Sequence, residues 1–500
     1  MHKELVAAVD LGSNSFRLQV GRIVNSQIYP LDGLKDPVRL AAGLGEDKLL
    51  DDASQQRGLL ALSRFGERLT GFKPDEVRAV ATNTLRVAKN APEFILRAEA
   101  ALGFPIEVIA GREEARLIYV GVAHTLPDPH RQQLVVDIGG GSTEFIIGRS
   151  FKPLELESLY MGCVSYTMKF FPDGRIDKRG FREAELAAQR ELQTIALPFG
   201  AVGWEMAVGS SGTAKSLFDI LNASGQAEGA ITRKGLEALK QVLIKHGSLD
   251  KLPLNGIKAD RLPVLPGGLA IMLAIFRAFE LEEMVFSEGA LRLGVLYDLL
   301  GRYHHHDLRD ATVQSFAERY SVDRAQAERV GATAVHLLEQ LDPATRDPDN
   351  LDRRFLLWAA TLHEIGISVA HSSYHKHSAY ILGNADMPGF SRMDQGRLSR
   401  LVLGHRGKLS RLTGIDPMSS DWQLIACLRF AVVFHRARDE RSCPPVRIAR
   451  DGTGFTLEAE AQWLDGLPLT AASLNDEVAQ WNAIGHPLAV ATRERLMLAD

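Results

Sequence analysis

The chain has 500 residues, 45% of them hydrophobic and 24% charged, with a net charge of −4. That length is too great for one core and predicts two to four domains of ordinary soluble, globular composition. The charge balance excludes a global pull towards nucleic acid or anionic membrane, so any polyanion site must be local.

Three scattered cysteines, Cys163, Cys427 and Cys443, lack disulfide or metal spacing and suit a reducing compartment. No signal peptide is visible, and no apolar run approaches the roughly 20 residues of a spanning helix. A cytoplasmic protein is expected, with peripheral association at the inner membrane as the alternative.

Leu5–Asp10 is a short apolar run ending on an acid, followed by L-G-S-N-S and then F-R-L-Q-V. Phe16, Leu18 and Val20 alternate there with Arg17 and Gln19, a half-buried strand pattern. Gln55–Thr70 has helical apolar spacing at Leu59, Leu62, Phe65 and Leu69. Val77–Ala81 reads as a strand that empties into Thr82, Asn83, Thr84 and Arg86. Arg86 could fork onto phosphate oxygens, or be a surface arginine with no partner. Ile106–Ile109 is a further strand, and G-R-E-E-A-R-L-I opens a helix with Glu113 and Glu114 in its first turn. Helix starts collect acids for stability alone, so spacing leaves helix decoration and catalytic base both open.

Leu134–Gly148 reads L-V-V-D-I-G-G-G-S-T-E-F-I-I-G. Apolar runs on both sides of Gly139, Gly140 and Gly141 predict strand, tight turn, strand. Glycines permit φ > 0 and close approach of backbone N–H groups to an anion. Asp137 and Glu144 flank the turn as a divalent cation between carboxylates and phosphate would require. A plain glycine hairpin is the bland reading. Against it, the pattern of apolar run, Asp, apolar residue, Gly, small residues and strand already occurred at Asp10, 127 positions earlier (137 − 10). Two such loops suit duplicated lobes gripping one phosphate from opposite sides. Neither copy is a P-loop or a Rossmann fingerprint, because both lead into strands.

Met206–Val208 then leads into a small-residue turn, Gly209–Thr213, with Gly209, Ser211, Gly212 and Thr213 as candidate phosphate contacts at a helix start. Pro266-Gly267-Gly268 opens a helical stretch through Ile275, and Phe286–Arg292 leads into another that ends near Leu300. The strand-rich half ends at about Gly301. From His304 onward helical periodicity dominates, as at Val330, Ala334, Leu337, Leu338 and Leu341. His363-Glu364 closes a buried helix, and a basic groove of Lys376, Arg392, Arg397, Arg406, Lys408 and Arg411 is expected nearby. Pro445–Asp500 reads as a small separate module with strands Val446–Ile448 and Phe455–Leu457 and a helix near Leu474–Trp481.

With V-D-L-G-S-N-S, A-T-N-T-L-R, G-R-E-E-A-R-L-I and V-D-I-G-G-G-S-T-E in this order, the chain resembles the exopolyphosphatase and guanosine pentaphosphate phosphohydrolase family over essentially its whole length. H-S-A-Y-I-L at His377–Leu382 extends the resemblance into the helical half.

The resemblance implies an α/β fold of two actin-like, ribonuclease-H-like lobes (1–118 and 119–301), an α-helical HD-like domain (302–444) and a small C-terminal α+β domain (445–500). It makes Glu114 the catalytic glutamate, Asp137 and Glu144 the Mg²⁺ positions, and Arg86 a phosphate contact. Asp10, Gly12, Ser13, Asn14 and Ser15 form the first phosphate loop, and Gly139, Gly140, Gly141 and Ser142 the second. A monovalent cation such as K⁺ is a further candidate cofactor. The resemblance also implies a homodimer and a polyphosphate channel, to which Lys376, His377, Arg406 and Lys408 are assigned. His-Glu in place of His-Asp argues against a second, metal-dependent phosphohydrolase centre.

The expected activity is Mg²⁺-dependent, processive release of orthophosphate from inorganic polyphosphate. The alternative is hydrolysis of guanosine pentaphosphate (pppGpp) to the tetraphosphate (ppGpp), and one site could serve both. An actin-like ATPase or sugar kinase is what the fold alone would allow.

Overall fold

The computed structural model describes residues 5–24, 27–126, 130–225, 229–249, 256–303, 307–439 and 445–494. His304 and Cys443 lie outside them. Two compact units divide at residue 307, Met1–Asp307 and Leu308–Asp500.

The first unit contains two sheets of one topology. Strands β1 (Leu5–Leu11), β2 (Phe16–Val24), β3 (Gln27–Asp36), β4 (Val77–Ala81) and β5 (Ile106–Val108) lie in the order β3-β2-β1-β4-β5. Strands β6 (Gln133–Ile138), β7 (Thr143–Arg149), β8 (Lys152–Leu159), β9 (Met206–Ser210), β10 (Ile231–Thr232) and β11 (Glu283–Phe286) lie in the order β8-β7-β6-β9-β11-β10. In each lobe the first three strands form an antiparallel meander, and the first strand pairs in parallel with the fourth. The duplication is therefore structural as well as sequential. Asp10 pairs with Arg17 across the first hairpin, and Asp137 pairs with Glu144 across the second.

Strand alternation sorts the cores. Ala7 and Val9 face a core on the outer side of the first sheet, and Leu134 and Val136 do so in the second. Val6, Ala8 and Val80 of one sheet and Val135, Ile146 and Val208 of the other enter a common core between the lobes. Two helices fill that core, Gly111–Ala123 and Leu291–Tyr303, through Ala115, Ile118, Tyr119 and Val122 on one and Val295, Leu296 and Leu299 on the other. Apolar side chains on both faces of the central strands follow from this sandwich.

The first crossing helix runs through residue 118, so the expected lobe boundary falls inside an element shared by both lobes. The two helices approach so closely at Gly121 and Gly294 that a Cβ on Gly294 would stand 1.7 Å from the Leu117 carbonyl oxygen. Buried charges anchor the pair to the first sheet. Arg116 donates to Glu113 at 2.8 Å and Asp298 at 2.6 Å, while Arg78 of β4 reaches Asp298 at 2.7 Å and Glu107 of β5 at 3.0 Å.

The second unit is helical, with a three-stranded sheet of β12 (Val446–Asp451), β13 (Gly454–Glu460) and β14 (Leu488–Arg493). The C-terminal segment is not the separate module that its short strands suggested. Val446, Ile448, Phe455, Leu457 and Trp481 share one core with Leu337, Leu338, Phe355 and Phe430 of the helices. Buried Arg429 on helix Asp421–Phe434 pairs with Glu477 of helix Pro468–Asn482 and donates to the carbonyls of Gly404 and Gly407.

Among the described residues, no helix is long and apolar enough to cross a membrane.

Gly294→Ala should cost about 1–3 kcal/mol, the usual range for forced overpacking. Gly200→Ala, where a Cβ meets nothing within 4 Å, should be neutral or slightly stabilising. Chemical denaturation of both variants checks the pair. Equal stability would refute the close-approach role of Gly294.

Candidate active site

Both hairpin turns open at the same end of their sheets and meet. Gly140 lies against Ser13, where a Cβ would stand 3.0 Å from the serine Cβ and 3.2 Å from the Asn14 nitrogen. A Cβ on Gly141 would stand 2.5 Å from the Asn83 side-chain oxygen. The loop glycines Gly12, Gly139, Gly140 and Gly141 all keep φ out of the left-handed region. Close approach, not φ > 0, is what excludes larger residues there: Gly140 and Gly141 face the other lobe, whereas Gly12 and Gly139 face the Ser15 and Ser142 carbonyls of their own loops.

Between the loops lies a cleft of about 110 Å³, room for roughly three or four waters at ~30 Å³ each. A terminal phosphoryl group suits that scale. Asp10, Gly12, Ser13, Asn14 and Ser15 line one wall, and Asp137, Gly139, Gly140, Ser142 and Glu144 the other. Glu114 enters from the first turn of the crossing helix. The neighbouring Glu113 is spent on Arg116, so the two glutamates of that turn part company, one into the ion network and one into the cleft.

The acids are crowded. Burial raises the Asp10 carboxyl to about 6, against the opposing pull of Arg292 and Arg17. Burial likewise raises Asp137, against the lowering influence of the nearby Ser211 and Ser210 hydroxyls and of Arg17 and Arg261. Glu144 is pushed well above the carboxylate range by burial and by Glu114 and Asp137, although Ser158 donates to it at 2.9 Å. Glu114 is raised by burial and held back by Arg86, whose Nη1 lies 3.1 Å from Oε2. Buried carboxylates of raised pKa in one cleft are the ordinary signature of an acid–base site.

Several assignments change. Arg86 does not line the cleft; its Nη1 donates to the Ile109 carbonyl at 2.8 Å as well as to Glu114. In this structure it positions Glu114. Gly209 lies within β9, packed against Ala214 and Met284, and β9 runs straight into helix Ser211–Ala223 without the expected turn. Thr213 donates to the Ile138 carbonyl at 2.9 Å and braces the second loop from behind. Gly141 also lies behind the cleft wall, whereas Ser211 and Gly212 do line it. Ser211 has φ +68°, a conformation that costs a non-glycine residue energy and gathers at functional sites.

Three arginines that spacing did not single out complete the cleft: Arg17, Arg261 and Arg292. Arg292 stands 4.0 Å from Asp10. The Arg261 guanidinium covers Gly212, where a Cβ would be only 2.1 Å from its nitrogen. Burial, with Arg292 and Arg261 nearby, lowers Arg17 to about 10. Arg17 was legible, since it stands 127 positions before Glu144 and so holds the same hairpin position in the first copy (144 − 17).

Asp10, Asp137 and Glu144 are hard oxygen donors, and Asp10 keeps one buried oxygen without a hydrogen-bond partner. Among the described residues, however, no three acidic, histidine or cysteine side chains lie close enough to hold a metal by themselves.

In the second unit, Lys376, Arg406, Lys408 and Arg411 are exposed. Lys376, Arg406 and Arg411, with buried Arg429, act on the buried ring of His375, lowering it to about 4 after the larger effect of burial. His377 is half-buried in the same helix, Tyr374–Asn384. Arg397 leaves the expected groove, because it pairs with Asp352 and Asp421 and stacks on Phe355. Glu364 is taken by Arg438.

Two ribonuclease-H-like lobes of one topology, each bringing a loop and an acid to a shared phosphate-sized cleft, define the actin-like class. Residues 19–303 match the model of the Ppx/GppA phosphatase family, and 308–478 match its domain III. The chain belongs to the Ppx/GppA phosphatase family and is a phosphoanhydride hydrolase.

It is 39% identical over 496 residues to the guanosine-5'-triphosphate,3'-diphosphate pyrophosphatase of Aeromonas hydrophila subsp. hydrophila, covering 97% of this chain and 99% of that protein. It is 38% identical over 491 residues to the Vibrio vulnificus protein of the same name, covering 98% of each. Among solved structures, the Aquifex aeolicus PPX-GPPA enzyme is 27% identical with a TM-score of 0.50, covering 59% of this chain and 98% of that one. An exopolyphosphatase from Cytophaga hutchinsonii is 23% identical with a TM-score of 0.54, covering 59% and 97%, and speaks for the fold alone.

Because Arg86 opposes the rise of Glu114, Arg86→Gln should let Glu114 keep its proton to higher pH. The acid limb of the kcat/KM profile should move up by about one unit or more. An unmoved limb would remove Arg86 from that role.

Proposed function

We propose that the protein hydrolyses the terminal 5'-phosphoanhydride of pppGpp, giving ppGpp and orthophosphate. The observation that carries the reaction type is Glu114, buried with a raised pKa and facing a phosphate-sized cleft between two glycine loops. The substrate choice is supported by two full-length relatives named for guanosine-5'-triphosphate,3'-diphosphate. This reverses the order of preference that the sequence suggested.

Phosphoryl transfer depends chiefly on positioning and electrostatics. The backbone of both loops, with Arg17, Arg261 and Arg292, would hold the terminal phosphoryl group in line. The Glu114 carboxylate would take a proton from the attacking water as the new P–O bond forms and the bridging P–O bond breaks. The electron pair of the broken bond leaves on the diphosphate oxygen. Arg86 keeps Glu114 ionisable and oriented. Mg²⁺, held by Asp137 and Glu144, would neutralise charge on the transferred group. A bound cation favours the ionised form of both carboxylates, against the burial that raises them.

Polyphosphate hydrolysis is the second reading, favoured by the exposed cluster of Lys376, Arg406, Lys408 and Arg411. Side-by-side turnover of pppGpp and long-chain polyphosphate ranks the two. A kcat/KM for polyphosphate above that for pppGpp would overturn the first reading.

Glu114→Gln should lower kcat by about 10²–10⁴-fold, the usual contribution of a general base, with substrate binding retained in calorimetry. Asp137→Asn should shift the Mg²⁺ dependence of activity to higher concentration. An unchanged Mg²⁺ titration would count against the metal assignment.

A further inference from the structure

A second cavity, of about 450 Å³, adjoins the cleft and shares Arg17, Ser211, Gly212, Ala290 and Arg292 with it. Its volume falls in the range of small-molecule sites. One phosphoryl group cannot occupy both spaces, so the second is open to the remainder of a larger substrate.

The walls of this cavity add an aromatic ring and a carboxylate to the cations Arg17, Lys215 and Arg292. One side is Phe286, at the end of β11, with Lys215 of helix Ser211–Ala223 beside it. Phe286 leans on Phe218 at 5.4 Å between ring centroids and carries the Lys215 ammonium 5.2 Å from its centre. Lys215 is itself engaged with Asp219 at 3.5 Å. The opposite polar wall is largely spent. Thr125 and Ser287 hydrogen-bond each other at 2.8 Å, Thr125 also donates to the Val122 carbonyl, and Ser287 accepts from the Gly289 amide. Glu288, exposed at the rim, has no hydrogen-bond or ion-pair partner among the described residues. A free carboxylate repels a continuing phosphate chain. An aromatic ring and an acceptor-only carboxylate are instead what a flat heterocycle with adjacent N–H donors needs.

We propose that this cavity is the nucleoside subsite, where the purine packs against Phe286 and the Lys215 stem and Glu288 accepts from the N1–H and 2-amino group of guanine. The proposal rests on the pppGpp reading and deepens it, by making Glu288 the residue that selects guanine. Adenine turns its N1 lone pair towards the same carboxylate and forfeits both hydrogen bonds, so guanine is preferred.

The test compares pppGpp, its adenosine counterpart and linear tripolyphosphate on the full chain. In Glu288→Ala, the ratio of kcat/KM for pppGpp to that for tripolyphosphate should fall about tenfold, as loss of a charged hydrogen bond predicts. The loss should lie in KM, and the preference for guanine over adenine should fall with it. In Phe286→Leu, both nucleotides should lose ground to tripolyphosphate while their mutual ratio stays the same. Ratios unchanged in both variants would overturn the subsite.

Calorimetric binding of ppGpp separates this inference from the hydrolysis reading. A Kd raised about tenfold in Glu288→Ala supports the subsite even if pppGpp is not cleaved, and absence of cleavage then sinks only the proposed reaction. A Kd equal in variant and wild type, or no binding by either, overturns the subsite.

Discussion

Crowding of like charge organises this molecule. Asp10, Asp137, Glu144 and Glu114 come from two hairpins and one helix, yet all four line one cleft of about 110 Å³. Burial raises every one of their pKa values, and the neighbouring arginines offset only part of the rise. Such an arrangement is poor for stability and useful for chemistry, since the cleft gains from any species that spreads positive charge among the acids. A divalent cation with its phosphates answers that need, and an actin-like pair of lobes can bring donors to it from two sides.

Holding the acids together is the task of the two crossing helices. Helix Gly111–Ala123 packs on both sheets at once and starts at the cleft, so its first turn delivers Glu114. Its partner, Leu291–Tyr303, begins with Arg292 in the same cleft and carries Asp298 into the Arg78–Arg116 network. Glycine at 121 and 294 allows a helix contact too close for side chains. Any slippage of these helices would move Glu114 and Arg292 together. That coupling suits a reaction in which position supplies most of the catalysis.

The hairpin loops, the duplication, the crossing-helix start and the shift to helices in the second half were legible, because each leaves a local pattern of apolar period and turn residues. Arg261 and Arg292 were not, since an arginine in a chain of 58 basic residues carries no local mark of where it points. Arg86 was legible as a functional arginine, but its pairing with Glu114 was not, because only the fold brings that guanidinium to a carboxylate. The C-terminal segment looked independent because its strands are short and its linker polar. Trp481 nevertheless packs on Phe430 and Trp422, a contact no local pattern announces.

By itself, the sequence determined the elements, the repeated acid-and-glycine loops and the family, because these reside in spacing and residue type. Tertiary structure decided how the adjacent glutamates part: both pair with an arginine, Glu113 with Arg116 and Glu114 with Arg86, yet only Glu114 lines the cleft. It also decided that Gly140 and Gly141 answer to contact between lobes rather than to backbone φ. That constraint exists only once two segments 127 residues apart lie against one another.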